Sequence, residues 1–208
     1  MENMDDDGLL AFIARRIKSD IDLINGLISS ERRGSFSSNR DPVDMGRLKT
    51  RICAVSLGME ALFQDQSPYR IDLVRHLGFV VAEAAENAGV TSTWVAPPVP
   101  LLCPDRRAVL TGLALGDLCY LSGPVRVRLA EGDSGFAVCE VSADSFREST
   151  WIRDCVALCA FARGIVEDDV GGFFEKDAYC VRMGIPLGVP QSNPNDIRHG
   201  LGNPEMLL

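Results

Sequence analysis

Histidine is the natural starting point, because a neutral imidazole is the side chain best suited to carry a proton or a phosphoryl group near neutral pH. The chain holds two, His76 and His199. Neither lies near a serine and an acid, or a cysteine, at a spacing that suggests nucleophilic catalysis. The seven cysteines, Cys53, Cys103, Cys119, Cys139, Cys155, Cys159 and Cys180, are scattered among apolar residues, without a C-x-x-C pair. Their odd number argues against a disulfide framework. Cys155 and Cys159, four apart on an expected helix, are either metal ligands or small core residues on one stripe, and free cysteine is usually core. The turn around Gly135 lacks the lysine and long glycine loop of a phosphate cradle. The residues point to no cofactor and no metal. They leave a polar group, Arg15, Arg16, Ser19 and Asp22, on the outside of an apolar seam.

The elements that must position these residues follow from hydrophobic periodicity. Leu10, Ile13, Ile17, Ile21, Ile24 and Leu27 or Ile28 recur at steps of three and four, as on an amphipathic helix. Residues 34–41 have loop composition, and Pro42 behind Asp41 suits the first turn of a second helix. There Met45, Leu48, Ile52, Val55, Met59 and Leu62 repeat the same spacing. Two helices joined by a loop form a hairpin over residues 9–65. Its two apolar stripes are most economically buried by a second copy, as a dimeric four-helix bundle. That arrangement would use Ile13, Ile17, Ile21, Ile24, Ile52, Val55 and Met59 at the dimer interface; the alternative is that the stripes pack on the rest of the chain.

Residues 69–187 read as helix, strand, helix, strand, strand, helix, strand. The helices are expected near 69–88, 105–121 and 151–163, the last stopped by Gly164. The strands are expected near 90–95, 125–130, 136–141 and 179–185, the middle two paired through the turn at 131–135. Helices on one face of a mixed sheet give an α+β sandwich. Residues 188–208 lack periodicity and read as a flexible tail, although His199 and the terminal Met206, Leu207 and Leu208 could dock on a partner.

A formal net charge of −8 and a pI near 4.8 leave no basic footprint for a phosphate backbone, which argues against nucleic acid as a partner. No apolar run is long enough to cross a bilayer, and the acidic start is unlike a signal peptide, so a cytoplasmic location is expected.

The run from Arg16 to Ser30 resembles the first dimerisation helix of two-component histidine kinases that carry an H-R-x-K-N-N-L-Q-type box. Asp41 to Gln64 resembles that family's second helix, and Ile71-Asp72-Leu73 its approach to the ATP-binding domain. Thr111-Gly-Leu-Ala-Leu-Gly-Asp-Leu-Cys119 resembles the L-G-L-x-x-N-E-L helix. Cys155 to Ile165 followed by Gly171-Gly172 resembles the last helix and glycine turn. The resemblance spans residues 9 to 187, and extends to the histidine phosphotransferases of bacterial relays. It implies a dimerisation hairpin and an ATP-binding-type α/β domain without its lid.

The departures fall on the residues that do the family's chemistry. Its phosphoacceptor histidine corresponds to Arg15, and a guanidinium stays protonated and cannot attack a phosphoryl group. Its metal-holding asparagine corresponds to Leu121, which has no oxygen to offer. Asp117 stands where the preceding acidic residue would be. Asp144 keeps the aspartate of the adenine box, but Ser145 and Phe146 replace its glycines. The resemblance therefore implies a vestigial nucleotide site at Asp117, Leu121 and Asp144. The expected protein is a non-catalytic signalling adaptor or regulator that dimerises and binds a response-regulator receiver domain through Arg15, Arg16, Ser19 and Asp22. Arg15 would pair with the receiver's acidic pocket, or is simply solvated. The alternatives are an active phosphotransferase or kinase that accepts phosphate on His76, and a structural or small-ligand-binding module using the cleft near Asp117, Tyr120 and Asp144.

Overall fold

The computed structural model describes residues 14–15, 17–26, 28, 44–64, 70–147, 159–177 and 179–188, and of 61–64 the backbone alone. Helix α1 takes in the described residues 14–15, 17–26 and 28, and α2 covers Met45–Gln64. The short strand β1 (Arg70–Asp72) follows, then α3 (Leu73–Ala88), β2 (Ser92–Val95), β3 (Leu102–Pro104) and α4 (Asp105–Ser122). Strands β4 (Val125–Glu131) and β5 (Phe136–Ala143) form the expected hairpin, and β6 (Phe173–Lys176) and β7 (Cys180–Pro186) close the fold. Helix α5, residues 159–164, precedes β6.

The main sheet has the order β2-β4-β5-β7-β6, with β2 parallel to β4 and every other pair antiparallel. Alternation along β4 sends Val125, Val127 and Leu129 into the core and Arg126 and Arg128 to the open face. Ala137, Cys139 and Val141 of β5 and Val181, Met183 and Ile185 of β7 complete the inner face. Helices α3 and α4 cover it, and α2 packs on both of them. Thirteen of the eighteen residues of α4 are buried, because this helix is enclosed between the sheet and α2.

Small residues set how closely α2 and α4 approach. A Cβ on Gly116 would meet Thr50 at 3.1 Å, one on Gly58 would strike Val109, and one on Gly46 would strike the Tyr120 hydroxyl. Leu48, Ala54 and Val55 of α2 accordingly share one core cluster with Leu77, Val80 and Leu113. Val55 is 0% exposed within its own chain, so it has no surface left for a dimer partner. Helical spacing locates an apolar stripe but does not say which neighbour covers it, and here the body of the chain covers this part of α2.

Three strands and one helix end differ from the expectation. Arg70–Asp72, read as the start of a helix, pairs antiparallel with Leu102–Pro104. Asp72 then caps α3, its carboxylate accepting from Val74 N at 3.0 Å and from Leu101 N at 3.2 Å. Strand β6 has only four residues, too few for an alternation to stand out. Gly164 does not stop its helix; its backbone is right-handed helical, and the chain runs on through a π-helical turn, Ile165–Asp169. The reversal comes at Gly171, with φ 73°, where glycine avoids the Cβ clash of that region. Next to it, a Cβ on Gly172 would collide with the Gly184 carbonyl of β7. Gly172→Ala should therefore cost at least about 2 kcal/mol, read as a lower urea midpoint at unchanged slope.

Candidate functional site: a buried carboxylate between two arginines

Asp117 is the one carboxylate in the buried face of α4, and its side chain is fully enclosed. A carboxylate in that position must find charge partners or lose its charge. Arg47 and Arg51, one turn apart on α2, supply them. Arg51 Nε donates to Asp117 Oδ1 at 2.8 Å and its Nη2 to Oδ2 at 2.5 Å. Arg47 Nε donates to Oδ1 at 3.3 Å and its Nη2 to Oδ2 at 3.0 Å. Both oxygens thus accept from both guanidiniums, in the paired geometry that arginine's planar fork allows. The Phe161 ring lies 4.9 Å from the Arg51 guanidinium carbon, and stacks on the cation.

A second set of contacts extends the clamp. Tyr120 Oη donates to Asp44 Oδ1 at 2.7 Å, and Asp44 Oδ1 also accepts from Arg47 N at 3.0 Å. Burial, and then the Asp44 carboxylate, push the Tyr120 phenol up to about 12. Asn87 Nδ2 of α3 donates to Thr50 Oγ1 at 3.1 Å. Side chains of α2, α3 and α4 are joined in this way around the position that the resemblance assigned to a catalytic acid.

The other residues of the expected nucleotide site do not gather beside Asp117. Leu121 is 37% exposed at the end of α4. Asp144 opens a short 3-10 turn, Asp144–Arg147, and lines a cavity at the end of the sheet to which neither Asp117 nor Leu121 contributes. In the same turn Ser145 Oγ donates to the Ser122 carbonyl at 2.5 Å, and Phe146 is buried in the core. The Asp117 carboxylate is already held by two cations, Leu121 has no oxygen to offer a metal ion, and Phe146, two residues after Asp144, fills the core, so these residues do not make up a donor set for an ATP–magnesium group.

Arg15, Ser19 and Asp22 are all exposed on α1, whereas Arg16 and Ile13 lie outside the described residues. Ile17 and Ile21 are 38% and 49% exposed, and Ile24, Ile52 and Met59 are half-buried. His76 is 3% exposed at the junction of α2, α3 and α4, where a Cβ on Gly112 would stand 2.8 Å from its Nε2. A phosphorylated receiver could not reach that imidazole without prising α2 from the body of the chain. His199 and Cys155 lie outside the described residues.

Arg47 and Arg51 were not singled out from the sequence. The available signal was Asp117 itself, a lone carboxylate in an otherwise apolar helix, which demands a cation from a neighbouring element.

Three of the thiols behave as core. Cys103, Cys119 and Cys139 are buried, and desolvation pushes Cys103 and Cys139 up to about 12 and Cys119 higher still. These three should resist iodoacetamide at mildly alkaline pH in the folded protein and react on unfolding, as read by peptide mass spectrometry. Among the described residues, no group of three or more His, Cys, Asp or Glu could hold a metal ion. No described helix is long and apolar enough to cross a membrane.

No protein-family model matches the chain, and no curated protein matches it in sequence. Solved structures do match in fold. The histidine kinase domain of the Erythrobacter litoralis EL346 blue-light activated histidine kinase superposes with a TM-score of 0.59 at 17% identity, covering 87% of this chain and 94% of that one. A longer form of the same kinase gives 0.57 at 17% identity, over 83% of this chain and 63% of that chain. The five-stranded sheet with its covering helices therefore has the fold of a histidine kinase domain.

Proposed function

We propose that the chain is a non-catalytic adaptor or regulator of two-component signalling, which dimerises through α1 and binds a response-regulator receiver domain on the outer face of that helix. The reading rests above all on Asp117, whose two oxygens are both engaged by Arg47 and Arg51. A carboxylate so held has no lone pair turned toward a substrate, and acts in the fold rather than in chemistry. Arg15, exposed on α1, presents a fixed positive charge where a phosphoacceptor would stand. The acidic pocket of a receiver is complementary to such a cation, and pairing favours docking while offering no nucleophile. The exposed edge formed by Ile17 and Ile21 is available for a second copy. Arg16, Ser19 and Asp22 would complete the receiver-binding face.

Two titrations test this reading. Calorimetry with ATP and magnesium should give no saturable heat up to about 1 mM, whereas a receiver domain should bind in the micromolar range, on the order of −8 kcal/mol. Micromolar nucleotide binding, or a chain indifferent to every receiver of its own cell, would overturn it.

A further inference from the structure

The open face of the sheet carries two neighbouring rows that differ in charge balance. In the first, Arg128 stands opposite Glu140, Glu140 opposite Arg182, and Arg182 opposite Glu175. Arg182 Nε donates to Glu140 Oε2 at 3.2 Å. Signs alternate across four strands, which is how a solvated sheet face stabilises itself. The second row, two residues along, is Thr93, Arg126, Ser142 and Cys180. None of the four is an acid, and Asp177 beside Cys180 already accepts from its thiol and from the Tyr179 and Cys180 amides. The guanidinium of Arg126 makes no hydrogen bond or ion pair with any described residue, although its backbone carbonyl accepts from Ser142 Oγ at 3.3 Å. Asp144, just past the end of β5, opens the 3-10 turn, and its carboxylate is equally without a partner among the described residues.

These two charges line the same cavity, of about 390 Å³, together with Thr91, Thr93, Ser142 and Tyr179. The volume is at the small end of ligand sites. A cation, a carboxylate and hydroxyls that line one cavity select by chemistry. A phosphate ester would satisfy Arg126 but oppose Asp144, and a simple amine would do the reverse. We propose that this cavity binds a small zwitterion of the α-amino-acid class, its carboxylate on Arg126 and its ammonium on Asp144. A carboxylate meets the arginine fork in a bidentate pair, and the ammonium donates to an acceptor-only aspartate. The hydroxyls of Thr91, Thr93 and Ser142 serve the remaining polar atoms. The site is separate from the Asp117 clamp and from α1, and does not depend on the adaptor reading.

The test is a two-dimensional amide NMR titration of the full chain with each of the twenty amino acids, and with propionate and ethylamine as half-ligands. At least one amino acid should bind saturably and shift the amides of Thr93, Arg126 and Ser142. Arg126→Gln and Asp144→Asn should each weaken it about tenfold or more, with the rest of the spectrum unchanged. Three results would overturn the proposal: no amino acid shifting those amides at about 10 mM, unaltered affinity in both variants, or propionate binding as tightly as the amino acid.

Discussion

Replacing Asp117 with alanine should destabilise the protein by about 3–5 kcal/mol, because it leaves two guanidiniums facing each other across a buried site with no counter-charge. Both arginines lose their acceptor at once, and the side chain of Arg51 is only 6% exposed, so water cannot take over its hydration cheaply. At this chain length, such a loss lowers the melting temperature by roughly 10 °C. Asp117→Asn should cost nearly as much, since the amide keeps one acceptor but removes the charge and points two donors at donors. The contrast that separates a charge effect from a cavity is a combined variant, Asp117→Leu with Arg47→Met and Arg51→Met. Burying hydrophobic residues in place of a buried ionic cluster is often close to neutral, so this variant should recover most of the stability lost in Asp117→Ala. If the combined variant melted no higher than the single one, the clamp would not be the cause.

The second large effect concerns binding rather than folding. Arg15→Glu should weaken receiver binding by about a hundredfold or more, because it exchanges an attractive contact with an acidic pocket for a repulsive one. Arg15→Lys should lose less, since the charge survives but the bidentate fork does not. The melting temperature of each variant, read alongside its affinity, separates an effect on folding from an effect on the interface and keeps this test independent of the first. Equal affinity for the wild-type chain and Arg15→Glu, measured by calorimetry at fixed ionic strength, would remove Arg15 from the interface.

The parts of the fold that were legible in the sequence are those where a single local rule decides. Strands β4 and β5 alternate cleanly and flank a turn with Gly132 and Gly135, so their pairing needed no tertiary information. Helix α4 is bounded by Pro104 and by Gly123, whose φ of 74° only glycine takes easily. What escaped depends on long-range partners. Strand β1 forms because residues thirty positions later lie beside it, and three residues of Arg-Ile-Asp carry no strand pattern of their own. Val55 shows the same limit, since its spacing fits a dimer seam and an intrachain interface equally well.

Legibility of the candidate site divides in the same way. That Leu121 cannot hold a metal and that Arg15 cannot accept a phosphoryl group follow from residue type alone. That Asp117 is held by Arg47 and Arg51 needs the packing of α2 on α4, seventy and sixty-six positions away in the chain. The pattern Gly112-x-x-x-Gly116 was an unused hint, because two small residues one turn apart mark a helix face that another helix approaches closely.

The central claim, that the chain engages a receiver without exchanging a phosphoryl group with it, is tested most directly in one experiment. A receiver domain phosphorylated with labelled acetyl phosphate is mixed with the chain, and the complex is separated by size exclusion and its label located by chemical stability. The account predicts co-elution with the label retained on the receiver as an alkali-labile aspartyl phosphate. Acid-labile, alkali-stable label on the chain would mean that it carries a working phosphohistidine, and would contradict the account.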